Sequence, residues 1–459
     1  MKKQALLALM LALTLILTGC TLVQKDAAVD AATIIIRLGD SVVTKGEVQE
    51  EVEAQLNYMA YLYSAYGYNF DPTSESAIED ARKSVIDSFK AELVSKAKIA
   101  EMGLELTEED LAAVQKEAEE TYQSNLDFVL SSNYADSSLS DEEKNEQAKA
   151  YLEETGYTME SVLENARETK LHEKLRAEVI KDVTVSEEEV EADYASKVAS
   201  AKETYEGHAD SWTTAANNGS TLYYTPAGVR FVKQILVRFT EEDQTKISEA
   251  NQKVTDAQAK VTAAESKTTD AQAILDDENA TEEDKTAAQA DLTAAQEELT
   301  AAQAEVTAAQ TEASGVLEAA FANIDTAADQ ILEELSVGAD WDTLMADKTQ
   351  DPGMQSGVTA ERGYAVSADM TSFDSAFVQA AMALEKVGDV SGKIRGNSYG
   401  YYIIKYVGDA VEGPIALDEV KETISSSLLS TKQNDTYNSQ LQAWVDAAEF
   451  KVDENALKN

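Results

Sequence analysis

The 459-residue sequence has one cysteine, two histidines and little positive charge, with 38 lysines and arginines against 85 aspartates and glutamates for a formal net charge of −47. Each scarcity removes a class of protein. A lone cysteine permits no internal disulfide, so stability must come from packing. His172 and His208 lie in acid-rich segments and give little support to a histidine-based metal site or nucleophilic triad; no metal and no cofactor is assigned. The deficit of basic residues excludes nucleic acid as a partner, because a polyanion is repelled. The acidic run DDENATEED lacks the glycine and the ligand spacing of an EF-hand loop. With 85 carboxylates, two in proximity say little about chemistry. No nucleotide-binding motif is visible, so any work done on other molecules is ATP-independent. The only sizeable apolar run, Ala5 to Leu17, is too short to span a membrane.

That run is informative for what surrounds it. Lys2 and Lys3 precede it and Leu17-Thr18-Gly19-Cys20 closes it, the pattern of a secretory signal over residues 1–19. The closing four residues resemble a bacterial lipobox. The resemblance implies that Cys20 becomes the lipid-modified first residue of the mature protein at the extracytoplasmic face of the cell membrane. An ordinary secretion signal is the alternative. Two acyl chains give a stable anchor, and residues 20–32 read as a tether reaching no more than about 40 Å. Beyond it the acidic body stands off an anionic surface and favours cationic clients in encounter rate, an effect that salt weakens.

Along the chain, TIIIRLGDSVVTKGEVQEEVEAQL reads as a strand pair followed by a helix opening at Thr44. From Gly46 to about Tyr205 the pattern is helical, with apolar residues such as Val85, Phe89, Leu93, Ala97 and Ala100 recurring at spacings of three and four. Residues 33–210 thus form one mainly helical domain. Tyr58, Tyr61, Tyr63, Tyr66, Tyr68 and Phe70 make the end of its first helix aromatic. They read either as core with a half-buried rim or as a client-binding surface, since tyrosine offers large apolar area with little entropy to lose. Asp210 to Gly228 reads as a loop and domain boundary.

Residues 241–321 are an insert. Thr286, Thr293, Thr300 and Thr307 each begin a TAAQ, a seven-residue repeat in which Leu292, Leu299 and Val306 mark a seam, with Val254 and Val261 on an earlier helix. The pattern predicts an antiparallel coiled-coil hairpin of helices Glu241 to Leu275 and Thr281 to Leu335. A spacer, an arm for dimerisation or partner docking, a clamp and a passive insertion are all open.

With the insert removed, GVRFVKQILVRF, ILEELSVGADWDTLMADKTQDPG and ALEKVGDVSGKIRGNSYGYYIIKYVGD follow one another within residues 228–408. In that order they resemble a parvulin-type peptidyl-prolyl isomerase domain. The strand pair and helices before it resemble the N-terminal domain of extracytoplasmic foldases of the PrsA and SurA kind. The resemblance implies a proline pocket formed by Met370, Phe377 and Met382. It also implies a polar cluster in which Asp351 holds the family's cysteine/aspartate position. Both family histidine positions differ: Gln234 stands at the first and Tyr402 at the second, and Glu361-Arg362-Gly363 replaces a glycine-rich segment. Glutamine and tyrosine both donate and accept hydrogen bonds, so a network of Gln234 and Tyr402 around Asp351 is expected. Residues 409–459 are expected to carry a helix from Leu417 to about Ala447 back to the first domain, with Phe450 and Val452 in an edge strand.

The expected fold class is α+β: a helical chaperone domain built from both chain ends, a small parvulin-like α/β domain and an inserted coiled-coil hairpin. The expected function is a membrane-anchored foldase that binds unfolded, newly exported proteins and proline-containing peptides and catalyses prolyl cis/trans isomerisation. A non-catalytic chaperone or scaffold lipoprotein with a degenerate parvulin domain is the alternative.

Overall fold

A computed structural model describes residues 27–135 and 138–458. The expected signal peptide, Cys20 and the first residues of the tether lie outside them. The protein is α+β, dominated by helices, with three small antiparallel sheets among the described residues. It divides into two compact units that exchange at Val185/Ser186 and again at Ser426/Ser427.

The described residues of the first unit begin inside the expected tether. Helix α1 (Ala27–Ala31) holds Asp30 2.7 Å from the ammonium of Lys45, which is almost fully buried. Strands β1 (Ile34–Leu38) and β2 (Ser41–Thr44) form the hairpin, and helix α2 (Lys45–Ala65) opens on a capping box between Thr44 and Glu47. Then come α3 (Glu75–Glu101), α4 (Glu108–Asn133), α5 (Asp141–Glu154) and α6 (Met159–Ile180). Ile35, Ile36 and Val43 of the hairpin pack on Val48 and Val52 of α2 and on Val85, Ile86 and Leu93 of α3. A smaller cluster of Leu126, Val129, Ala148 and Leu152 joins α4 to α5.

The second unit begins with α7 (Glu187–Tyr205), opened by the Ser186/Glu189 capping box. The stretch expected as loop contains a helix, α8 (Ala209–Asn217), whose Trp212, Thr213 and Ala216 are buried. Tertiary bonds hold it there. The Trp212 indole donates to the Tyr224 carbonyl at 2.7 Å, and the Asn217 amide makes paired bonds to the Ala365 backbone at 2.8 and 2.9 Å. After β3 (Tyr224–Thr225), strand β4 (Arg230–Arg238) leads into the arm helices α9 (Glu241–Asp276) and α10 (Glu282–Ser336). Helices α11 (Trp341–Lys348) and α12 (Val358–Arg362), strand β5 (Tyr364–Val366), helix α13 (Ser375–Ala383) and strands β6 (Ile394–Arg395), β7 (Gly400–Asp409) and β8 (Gly413–Pro414) complete the unit with the start of α14 (Leu417–Ala447). From Ser427 onward α14 belongs to the first unit, where the Arg176 guanidinium lies 5.2 Å from the Tyr437 ring centre and Lys98 lies 5.6 Å from that of Trp444. Strand β9 (Lys451–Val452) adds to that unit's hairpin, with Val452 opposite Ile36.

The antiparallel sheet β5-β4-β7-β6 places the site. Because strand side chains alternate, its two faces separate cleanly. Ile235, Val237, Tyr401 and Ile403 pack against the base of α10 and against Trp341, Leu344 and Met345 of α11. Val232, Leu236, Tyr402, Ile404 and Tyr406 pack against Phe377, Val378 and Ala381 of α13. Gly400 opens β7 at φ +137°, where an added Cβ would lie 2.0 Å from the Val237 carbonyl oxygen.

Alanine fills most of the seam of the arm. Ala250, Ala257, Ala264 and Ala271 of α9 and Ala288, Ala295 and Ala302 of α10 are buried, each series at seven-residue steps, together with Leu292. Val254, Val261, Leu299 and Val306 are only half-buried. Methyl side chains let the two backbones approach closely, and larger residues are moved to the flanks. Lys253, Lys260 and Lys267 meet Glu312, Glu305 and Glu298 across the helices.

Candidate functional site

On the α13 side of the sheet, beside that helix, lies a cleft of about 440 Å³. Gln234, Leu236 and Arg238 reach it from alternate positions of β4. Asp351 is brought to it by the segment after α11, which lies along the upper half of β4: Gln350 N–H donates to the Leu236 carbonyl at 2.9 Å, and Leu236 N–H donates to the Thr349 hydroxyl at 3.2 Å. Pro352 then starts a single 3-10 turn, which Asp351 caps.

Gln234 and Asp351 are both buried and directly joined, the Gln234 amide donating to the Asp351 carboxylate at 2.6 Å. The other carboxylate oxygen accepts from the Gly353 N–H at 3.0 Å and the Tyr364 hydroxyl at 3.1 Å. The expected third member is elsewhere: the Tyr402 hydroxyl donates to Asp374 at 3.2 Å rather than to Asp351. Tyr402 sits opposite Leu236 in the β4–β7 register and reaches over toward the N-terminus of α13, where Asp374 is the cap. Tyr364, at the start of β5, supplies the hydroxyl instead. Its reach depends on Gly353, where a Cβ would lie 1.9 Å from the Tyr364 oxygen. Neither Tyr364 nor Gly353 stands out in the sequence, because the contact joins separate segments.

The walls are aromatic. Tyr364, Phe373, Phe377 and Tyr402 form a chain of ring contacts with centroids 5.0, 5.7 and 5.4 Å apart. Phe377 lines the cleft as expected. Met370 is buried in the cluster behind it and Met382 is packed at that cluster's edge; neither lines the cleft. Burial pushes the Tyr364 hydroxyl well above its ordinary pKa, and the Asp351 charge adds to the shift; burial and Asp374 do the same for Tyr402. Both hydroxyls therefore stay protonated as fixed donors. Among the described residues the Gln234 side-chain oxygen is buried without a hydrogen-bond partner, an unused acceptor beside Asp351. Among the described residues there is no cluster of histidine, cysteine and acidic side chains arranged to hold a metal ion. No helix among them is long and apolar enough to cross a membrane.

Such a site is suited to binding an apolar ring beside a polar floor. No proton relay is built into it, and none is needed to turn a peptide bond. The barrier of about 18–20 kcal/mol comes from amide resonance. Apolar walls disfavour the charge-separated planar form, and hydrogen bonds selective for the twisted amide lower the barrier.

No protein-family model matches the chain. The foldase protein PrsA of Clostridium botulinum strain Hall is 31% identical over 133 residues, which are 28% of this chain and 38% of that protein. The foldase protein PrsA of Clostridium acetobutylicum is 22% identical over 202 residues, 43% of this chain and 52% of that protein. The chain thus spans about two-fifths to one half of the curated relatives it matches. Among solved structures, PrsA from Streptococcus pneumoniae is 16% identical, with 93% of this chain and 98% of that chain covered at a TM-score of 0.26. A peptidylprolyl isomerase (PrsA) from Bacillus cereus is 16% identical, with 93% and 96% covered at 0.19. By sequence, over the aligned stretch, the chain is similar to the PrsA foldases.

Proposed function

We propose that this protein is an extracytoplasmic foldase, held at the membrane through Cys20, that binds unfolded exported chains and accelerates prolyl cis/trans isomerisation without ATP. Residues 33–210 and 409–459 serve as the chaperone part. Residues 228–408 serve as the parvulin-like part, interrupted by the arm at 241–321. The observation that carries the catalytic reading is the buried Gln234–Asp351–Tyr364 network beside Phe373, Phe377 and Tyr402. A proline ring is to seat against Phe377, beside the Gln234–Asp351 pair. The similarity to PrsA foldases supports the broader foldase role.

The test is the cis-to-trans rate of short proline peptides, scanned across the residue before proline. Acceleration by the full chain and at least a tenfold loss in Phe377→Ala are expected. No acceleration by a folded protein sinks the catalytic part. One observation favours a non-catalytic peptide-binding site: Tyr402, at the second histidine position, is committed to Asp374. In that case the protein still suppresses aggregation of unrelated unfolded proteins, which a scaffold does not.

A further inference from the structure

The first unit carries an aromatic surface that its own core does not use. Five of the 19 tyrosines fall within the eleven residues 58–68, and Tyr58, Tyr61, Tyr63, Tyr66 and Tyr68 are between 39% and 77% exposed. None of their hydroxyls has a hydrogen-bond partner among the described residues. The core face of α2 is carried instead by Val48 and Val52. Tyr58 and Tyr61 share one side of α2, and Tyr63, on the other side, packs on Phe70 and Tyr68 with centroids 5.2 and 6.4 Å away. Beside Tyr58 a groove of about 590 Å³ runs between α2 and α3, with Tyr58, Val85 and Phe89 on its apolar walls and Glu51 and Glu92 as its charges. Glu92 is paired with Lys96 at 2.8 Å, whereas Glu51 has no cation partner among the described residues. Glu51, Tyr58 and Tyr61 lie at helical spacing along one side of α2.

We propose that this patch and groove are a docking site for extended polypeptide segments that mix apolar and basic residues. Charge complementarity selects that occupant. The groove holds carboxylates and no cation, the molecule around it carries −47, and exposed tyrosine faces attract lysine and arginine as well as apolar side chains. Apolar side chains fill the groove along Val85 and Phe89, a cation meets Glu51, and further cations lie over Tyr61, Tyr66 and Tyr68. Rigid aromatic rings lose little entropy on contact and tolerate varied partners. This rests on the chaperone reading and names the chemistry of its clients.

The test uses the full chain and a 16-residue peptide of leucine, valine, serine and lysine, beside a counterpart with every lysine replaced by glutamate. The lysine peptide is expected to bind at least about thirtyfold more tightly, with an affinity that falls as salt rises. The Tyr61→Ser/Tyr66→Ser/Tyr68→Ser variant, at exposed positions, keeps its helical content and loses about tenfold in affinity. Glu51→Gln loses about threefold and flattens the salt dependence. Equal affinity for the two peptides overturns the proposal, as does unchanged binding by the triple variant. Tyrosine-dependent self-association, or tyrosine-dependent binding to phosphatidylglycerol vesicles without peptide binding, overturns it too. If the parent suppresses aggregation and the triple variant does so equally, the site is wrong and the chaperone reading stands. If the parent binds the lysine peptide yet suppresses no aggregation, the site stands and the chaperone reading falls.

Discussion

A hydrogen atom in place of a methyl group at residue 353 decides whether Asp351 is fully hydrogen-bonded. Gly353→Ala drives the Tyr364 hydroxyl away and leaves a buried carboxylate short of a donor, at a cost of roughly 1–3 kcal/mol. The expected outcome is a lower denaturation midpoint together with weaker proline-peptide binding; Tyr364→Phe should lower both in the same direction with less strain. The hydroxyl itself gives a pH signature. Its folded pKa is raised above the unfolded value of about 10. Its contribution is therefore present below that pH and lost as pH rises toward the folded value. An alkaline titration followed by phenolate absorbance should show Tyr364 and Tyr402 ionising after the exposed tyrosines, and Tyr364→Phe should remove part of that late class. Simultaneous ionisation of all tyrosines contradicts the buried donors.

At the scale of elements, the arm is continuous with the helix that packs on the β5-β4-β7-β6 sheet because α10 runs 55 residues without a break. Its base is stapled to the sheet. Lys393, just before β6, pairs with Asp325 and Asp329, and Arg395 of β6 lies over Phe321 at 4.6 Å while meeting Glu318. Along the arm the alanine seam leaves no room for a larger side chain. Ala264→Leu should force the helices apart and destabilise the hairpin by about 1–3 kcal/mol. In far-ultraviolet circular dichroism this appears as an earlier helical melt, with the proposed proline-peptide activity unchanged. A stabilised arm points to a looser seam than the buried alanines describe. The exposed lysine-glutamate pairs are screened by solvent and set register more than stability.

At the scale of the whole molecule, the two units have separate cores and the chain crosses between them twice. Unfolding is therefore expected in more than one step. Leu93→Ala, in the core of the first unit, should lower one transition, and Ile403→Ala, central in the second, should lower the other, each by about 2–5 kcal/mol. Chemical denaturation followed by tryptophan fluorescence and by circular dichroism tests this. A single transition shifted equally by both variants contradicts independent cores.

What the sequence determined by itself is periodic or local. Seven-residue repeats specify the hairpin, capping boxes at Thr44, Ser186 and Thr281 open helices within a few residues, and alternating β-branched and aromatic residues mark β4 and β7. The Gln234–Asp351 contact was also legible, through the order of the segments that resemble a parvulin. Tertiary structure alone decided the rest. Tyr402 turned to Asp374 and Tyr364 took its place because hydroxyl reach depends on the register of three strands and on one glycine. Residues 209–217 became a helix because Trp212 found a backbone partner in the next strand and Asn217 one far along the chain. The tyrosines at 58–68 stayed outside because Val48 and Val52 already met the core. Local pattern encodes which backbone shape is favourable, whereas the partner of a polar side chain depends on packing among distant segments, which no local window contains.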